Sequence, residues 1–327
     1  MNLEYPWHNN AWQKFTLARQ SNHLPHALLL TGQQGVGKKN LAIKMIKSLL
    51  CLNPVNYVSC NQCKACKTYE TGAHPDYLEV TLEEEKQQIS VAQIRNLGNF
   101  LTRSRSFDGF RVILLHPIER MNNNAANSLL KSLEEPTKDT VIILLANSIS
   151  QILPTIKSRC QQLFLPIPDY KDAIEWLNKN KQNQDIHSKD LLELAQNSPI
   201  LALNIKQELY EQRNDFAEDL LSVINESQPI TRIAKKWEKH NLNDLLHWQV
   251  SWLQFLIKKQ YGGVNFTNEG NNAVTKFLSV TAKKMEDDTI LWKLYQNINN
   301  QVRYIHTSVN PLIMIENMLT LWHQSIR

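Results

Sequence analysis

Three short, almost uninterrupted apolar runs dominate the first half of the chain: His26-Ala27-Leu28-Leu29-Leu30-Thr31, Arg111-Val112-Ile113-Leu114-Leu115 and Val141-Ile142-Ile143-Leu144-Leu145. Runs of this length bounded by turn residues read as strands buried on both faces. A fourth segment, Asp76 to Thr81, alternates instead and predicts a strand exposed on one side. Between them the period lengthens. Leu41, Ile43, Met45, Ile46 and Leu49 predict a helix over Lys38–Leu50, and Ile94, Leu97 and Leu101 predict another with Ser90 as its N-cap. Asp108-Gly109 turns the chain into the next strand, and Asn124 to Leu133 reads as a helix stopped by Pro136. Repeated β–α units of this kind imply a parallel sheet covered by helices on both faces.

After Pro166-Ile167-Pro168 only helical periods remain, including Ala173-Ile174-Trp176-Leu177, Leu191-Leu192-Leu194-Ala195, Leu245–Ile257 and Ile313–Trp322. The prolines mark a boundary, giving an α/β domain at 1–166, a small helical domain at 167–208 and a second helical domain at 209–327. Tryptophans and leucines at helical spacing in the last of these read as core or interface.

Composition narrows the class. The 327 residues are 42% hydrophobic and 20% charged, as in an ordinary globular protein, and no apolar run approaches the length of a membrane span. The opening Met1-Asn2-Leu3-Glu4-Tyr5-Pro6-Trp7 lacks the basic-then-apolar layout of a secretory leader. A net charge of +5 permits an acidic or nucleic-acid partner without requiring one. Five cysteines, four of them clustered, argue for a reducing, cytoplasmic setting and metal ligation over disulfides.

Candidate chemistry starts at Gly32-Gln33-Gln34-Gly35-Val36-Gly37-Lys38-Lys39. This tract follows the phosphate-loop pattern up to its final hydroxyl, which Lys39 replaces. Gly32, Gly35 and Gly37 would let backbone amides cradle phosphates and Lys38 would reach their oxygens, but a lysine at 39 cannot ligate Mg²⁺. The strand Val112–Leu115 ends in His116-Pro117, where a phosphate-loop ATPase needs acids, and Glu119 is expected to lie too far along to substitute. Hydrolysis therefore lacks two parts. Retained glycines leave ATP binding without hydrolysis open. Cys51, Cys60, Cys63 and Cys66 suit a closed tetrahedral Zn²⁺ site with a structural role; an iron–sulfur cluster or free structural thiols are the alternatives. Arg159, in Ile156-Lys157-Ser158-Arg159-Cys160, reads on its own as a surface ion-pair residue.

Together, Leu24-Pro25-His26-Ala27-Leu28-Leu29-Leu30, the four-cysteine module, Ala126-Asn127-Ser128-Leu129-Leu130-Lys131-Ser132-Leu133-Glu134-Glu135-Pro136 and Leu153-Pro154-Thr155-Ile156-Lys157-Ser158-Arg159-Cys160 resemble the bacterial DNA polymerase III clamp-loader family of AAA+ proteins. The resemblance covers residues 24–160. It implies a nucleotide-domain fold at 1–166, a lid at 167–208 and a collar at 209–327 through which subunits assemble. It implies a hetero-oligomer with ATPase subunits and a delta-type clamp-opening subunit, acting through the complex on a sliding clamp and primed DNA. Lys39, His116, Pro117 and Ile200 (in Asn197-Ser198-Pro199-Ile200, where motors carry an arginine) depart from the motor pattern. Those departures favour a non-hydrolysing member. The retained Ser-Arg-Cys implies that Arg159 serves a neighbour's ATP site as a finger in trans. No residue set for nucleotidyl transfer is visible, so a DNA-directed polymerase label would describe the assembly. A working motor, or one that only binds ATP, is the first alternative; a zinc-dependent nucleic-acid-binding module is the second, although no basic, aromatic-interleaved patch accompanies the cysteines.

Overall fold

Strands β1 (Ala27–Thr31), β3 (Arg111–Leu115) and β4 (Thr140–Ala146) are buried along their whole length. They form the middle of a five-stranded parallel sheet ordered β2-β3-β4-β1-β5, with β2 (Tyr77–Val80) and β5 (Gln161–Phe164) at its edges. Register pairs Leu29 with Leu144 across β1–β4 and Ile113 with Ile142 across β3–β4. Because strand side chains alternate, each apolar run feeds two cores. Leu28, Leu30, Val112, Leu114 and Ile143 pack on one face with Phe15 of α1 (Asn9–Gln20) and with Leu41, Met45 and Leu49 of α2 (Lys38–Leu50). Leu29, Ile113, Leu115, Ile142 and Leu144 pack on the other with α4 (Val91–Leu101) and α5 (Asn123–Glu134). The expected parallel sheet between helical layers is the fold observed.

The computed structural model describes residues 5–84, 86–181, 186–262, 272–285, 287–302 and 310–326. Met1–Glu4, part of the segment read for a leader, and parts of 209–327 lie outside these residues. Local signals place the helices well. Ser90 caps α4 in a capping box with Gln93, and Asn122 caps α5 through the Ala125 amide. Between α2 and α4 come α3 (Lys64–Glu70) and strand β2; after β4 comes the one-turn helix α6 (Pro154–Lys157).

Two compact units result: Met1–Gln182 with Asn197–Asn204, and Asn183–Gln196 with Ile205–Arg327. The segment 167–208 contributes to both. Helices α7 (Tyr170–Asn180) and α9 (Pro199–Leu203) belong to the first unit and α8 (Ser188–Leu194) to the second. In the second unit α8 meets α10 (Gln207–Ile224), where Tyr210 Oη donates to Asp190 at 3.0 Å and Leu194 joins the core. That core also draws on α11 (Ile230–Trp237), α12 (Leu242–Gln260), α13 (Ala273–Lys284), α14 (Asp288–Gln301) and α15 (Pro311–Ser325). Trp237, Trp252 and Trp322 are buried in it, and the indole N–H groups of Trp237 and Trp322 donate to Asp219 and Gln249. A buried indole that keeps its hydrogen bond is a core residue, as the spacing implied. Among the described residues no helix is long and apolar enough to cross a membrane.

Candidate functional site

The phosphate-loop tract joins β1 to α2, with Gly35 and Gly37 at φ values of 82° and 86° that side chains disfavour. The loop has the expected strand–loop–helix setting, but its own chain fills it. Lys38 is 8% exposed, and its Nζ donates to Gly32 O at 2.8 Å, Gln33 O at 2.9 Å and Asn147 Oδ1 at 2.8 Å. An ammonium has three N–H donors, so all are used. Burial pushes Lys38 down to about 8, with Glu119 opposing the shift. Glu119 corrects the expectation that it lies too far along: its Oε1 accepts the Asn147 amide at 2.9 Å, beside Lys38. A short 3₁₀ turn after Pro117 folds the chain back toward the loop.

The outer face of the loop is covered as well. A Cβ placed on Gly35 would lie 2.4 Å from Leu201 Cγ, and one on Gly37 would lie 2.8 Å from Ile200 Cδ1 and 2.9 Å from His8 Cε1. Ser198 Oγ donates to Gln34 O at 2.6 Å, while Trp7 Nε1 and His8 Nε2 both donate to Val36 O at 2.8 Å. Tyr5 packs tilted and Trp7 edge-on against Trp176 of α7, which seats this aromatic cover. Ile200 therefore presses an apolar side chain onto the glycines.

Lys39 points to a separate cluster. Its Nζ donates to Glu79 Oε1 at 2.8 Å, His116 Nε2 donates to the same oxygen at 2.7 Å, and Tyr77 Oη donates to Oε2 at 3.1 Å. Burial works against ionisation of Glu79, yet the bonds from His116 and Lys39 outweigh it and hold the carboxyl down at about 2. An ammonium and an imidazole thus engage the Glu79 carboxylate beside His116, the position where metal chemistry would need an acid. Glu79 and Asn147 carried no motif signal, since the cations they bind, Lys39 and Lys38, lie tens of residues away in sequence.

Cys51, Cys60, Cys63 and Cys66 come together as expected, with all four sulfurs within 4.8 Å of one another. Cys51 ends α2 and Cys63 caps α3, so the cluster ties one helix end to the next helix start. Tetrahedral Zn–S bonds of about 2.3 Å place sulfurs roughly 3.8 Å apart, and Cys51 and Cys60 already stand at 3.5 Å. Amides of Cys60, Cys63 and Cys66 donate to cluster sulfurs at 3.3–3.4 Å. Burial would push Cys63 up, but the Cys66 and Leu52 amides prevail and bring it to about 6, whereas burial pushes Cys51 and Cys66 up, so a metal would have to displace protons from those two thiols. These four thiols can hold a metal ion. Cys160 lies apart, buried, with its thiol pushed up to about 11 by that burial.

Arg159 sits between buried Ile156 and Cys160 at the start of β5, on the edge of the sheet. Its guanidinium donates to Thr155 O at 3.0 Å and Ser158 Oγ at 3.3 Å, and pairs with Glu134 Oε1 at 2.5 Å. The side chain remains 35% exposed.

A family profile described as "DNA polymerase III, delta subunit" matches residues 7–168. The chain is 33% identical over 326 residues to DNA polymerase III subunit delta' of Pseudomonas aeruginosa, covering 97% of each chain. It is 27% identical to that of Escherichia coli over 81% of this chain and 79% of the other, and 35% identical to that of Bacillus subtilis over 63% and 59%. A solved gamma subunit-related protein of DNA polymerase III from Thermotoga maritima shares the fold at 20% identity and a TM-score of 0.50, covering 95% of this chain and 99% of that one. The five-stranded parallel sheet, the four-thiol module and these relatives agree: the chain belongs to the delta' family of DNA polymerase III subunits.

Proposed function

We propose that this chain is the non-hydrolysing member of a DNA polymerase III clamp loader. It assembles with ATPase subunits and a delta-type clamp-opening subunit, and so helps place the sliding clamp on primed DNA in the cytoplasm. One observation carries this reading: every N–H of Lys38 is bonded within the chain, to Gly32, Gln33 and Asn147, so none is left for a phosphate. The Lys39–Glu79 pair supports it, since an ammonium there repels the Mg²⁺ that phosphoryl transfer requires. Residues 167–208 are the counterpart of a lid and 209–327 of a collar.

In the same proposal Arg159 is a catalytic arginine delivered in trans to a neighbour's γ-phosphate. Support comes from its partly exposed guanidinium on a tract anchored by buried Ile156 and Cys160. Zn²⁺ held by Cys51, Cys60, Cys63 and Cys66 staples the segment between α2 and α3; sulfurs this close surround a single ion, whereas a multi-iron cluster spreads its ligands.

The test is reconstitution with ATPase subunits whose own fingers have been replaced, so that only the site served by this chain turns over. Arg159→Ala is expected to lower that turnover by about 10³ while leaving assembly intact. Unchanged turnover sinks the finger assignment, and MgATP hydrolysis by the isolated chain sinks the non-hydrolysing one.

A further inference from the structure

The pair between Arg159 and Glu134 stands where helix electrostatics disfavour an acid. Glu134 is the last residue of α5, and the carbonyl end of a helix repels a carboxylate. The end of α5 is also fixed in place: His26 Nε2 donates to Leu133 O at 2.9 Å, tying it to the entry of β1. Glu134 is thus presented at a set height beside Arg159, and its Oε1 forms an ion pair with Nη2 at 2.5 Å. Thr155 O and Ser158 Oγ take the Nη1 protons. A guanidinium has five N–H donors, and among the described residues only those on Nη1 are hydrogen bonded, so Nε–H and the Nη2–H groups beside Glu134 remain for an external anion.

We propose that Glu134 is a positioning residue for Arg159: it holds the guanidinium in one orientation in the free subunit and gives way to the phosphate of a neighbour's nucleotide. This rests on Arg159 acting in trans. Both side chains are partly exposed, and such pairs are weak, so the more highly charged phosphate can displace the carboxylate. The hold is strong enough to orient the arginine and too weak to trap it.

The experiment uses the full chain in the reconstituted loader described above, with only the served site active. Glu134→Ala should lower kcat about fivefold with KM for ATP unchanged, equivalent to ~1 kcal/mol at 1.36 kcal/mol per factor of ten. Glu134→Gln, which still accepts a hydrogen bond, should recover part of that loss. In the free subunit, ¹⁵N NMR of the Arg159 guanidinium should show hindered rotation in the native chain and fast rotation in Glu134→Ala. Added to Arg159→Ala, the Glu134 change should cost nothing further. If Arg159→Ala slows turnover and Glu134→Ala does not, the positioning role is overturned while the finger stands. An equal loss in both backgrounds also overturns it, because Glu134 would then act independently of Arg159. No effect from Arg159→Ala overturns both.

Discussion

The phosphate loop and the Arg159 tract place a cation at opposite ends of a range. Lys38 is buried, with all its donors spent on the loop's own carbonyls and Asn147. Arg159 keeps a partly exposed head and, among the described residues, is restrained by one carboxylate and two neutral oxygens. Both belong to the same sheet, Lys38 after β1 and Arg159 before β5. A charge satisfied internally is structure, and a charge left partly unsatisfied at a surface is available to a partner. The contrast predicts that mutating the two cations separates stability from activity.

The largest effect should come from Arg159→Ala, about 10³ in the neighbour's turnover, with urea unfolding of the isolated chain shifted by no more than about 0.5 kcal/mol. A large stability loss in that variant would erase the contrast. Metal removal comes next. With free Zn²⁺ a thousandfold above its Kd, chelation should lower stability by about 4 kcal/mol, and amide exchange should rise first around residues 51–70. Cys63→Ser should reproduce this and reduce bound zinc measured by mass spectrometry. Exchange unaltered around the module would show that the thiols staple nothing.

Lys38→Ala should do the reverse of the arginine variant. Leaving the carbonyls of Gly32 and Gln33 without their donor should cost about 1–3 kcal/mol in a denaturant titration, with no change in the assembled loader's ATPase. The smallest effect concerns Glu79. Its carboxyl titrates at about 2 in the folded chain and ordinarily at 4.5, so its stabilisation is complete above 4.5 and drains away as pH falls toward 2. The stability gap between the native chain and Glu79→Gln should therefore close over that window; a gap that widens on acidification contradicts the Lys39–Glu79–His116 cluster.

Legibility followed burial and sequence distance. Strands β1, β3 and β4 were plain because a strand buried on both faces must be apolar throughout. Strand β5 was not, because Gln161-Gln162-Leu163-Phe164 is an edge strand with only Leu163 buried. The four thiols were legible from spacing, since metal ligands must converge. What closes the loop was hidden. Lys39 and Ile200 departed visibly from the motor pattern, but nothing in the order of residues joins Lys38 to Asn147 or seats Trp7 and His8 on Val36. Glu119 was misplaced for the same reason: the turn after Pro117 folds it back, and a linear count of residues does not register that. Glu134 lay within a recognisable tract, yet its pairing with Arg159 needed the positions of α5 and β5.

The central claim is that the loop is closed to nucleotide by the chain itself. Calorimetric titration of the isolated full chain with ATP and Mg²⁺ tests it directly. The account predicts no saturable heat at the loop, in the native chain or in Lys38→Ala. Saturable one-to-one binding that Lys38→Ala abolishes would contradict it, because Lys38 would then be reaching phosphate and not the carbonyls it holds here.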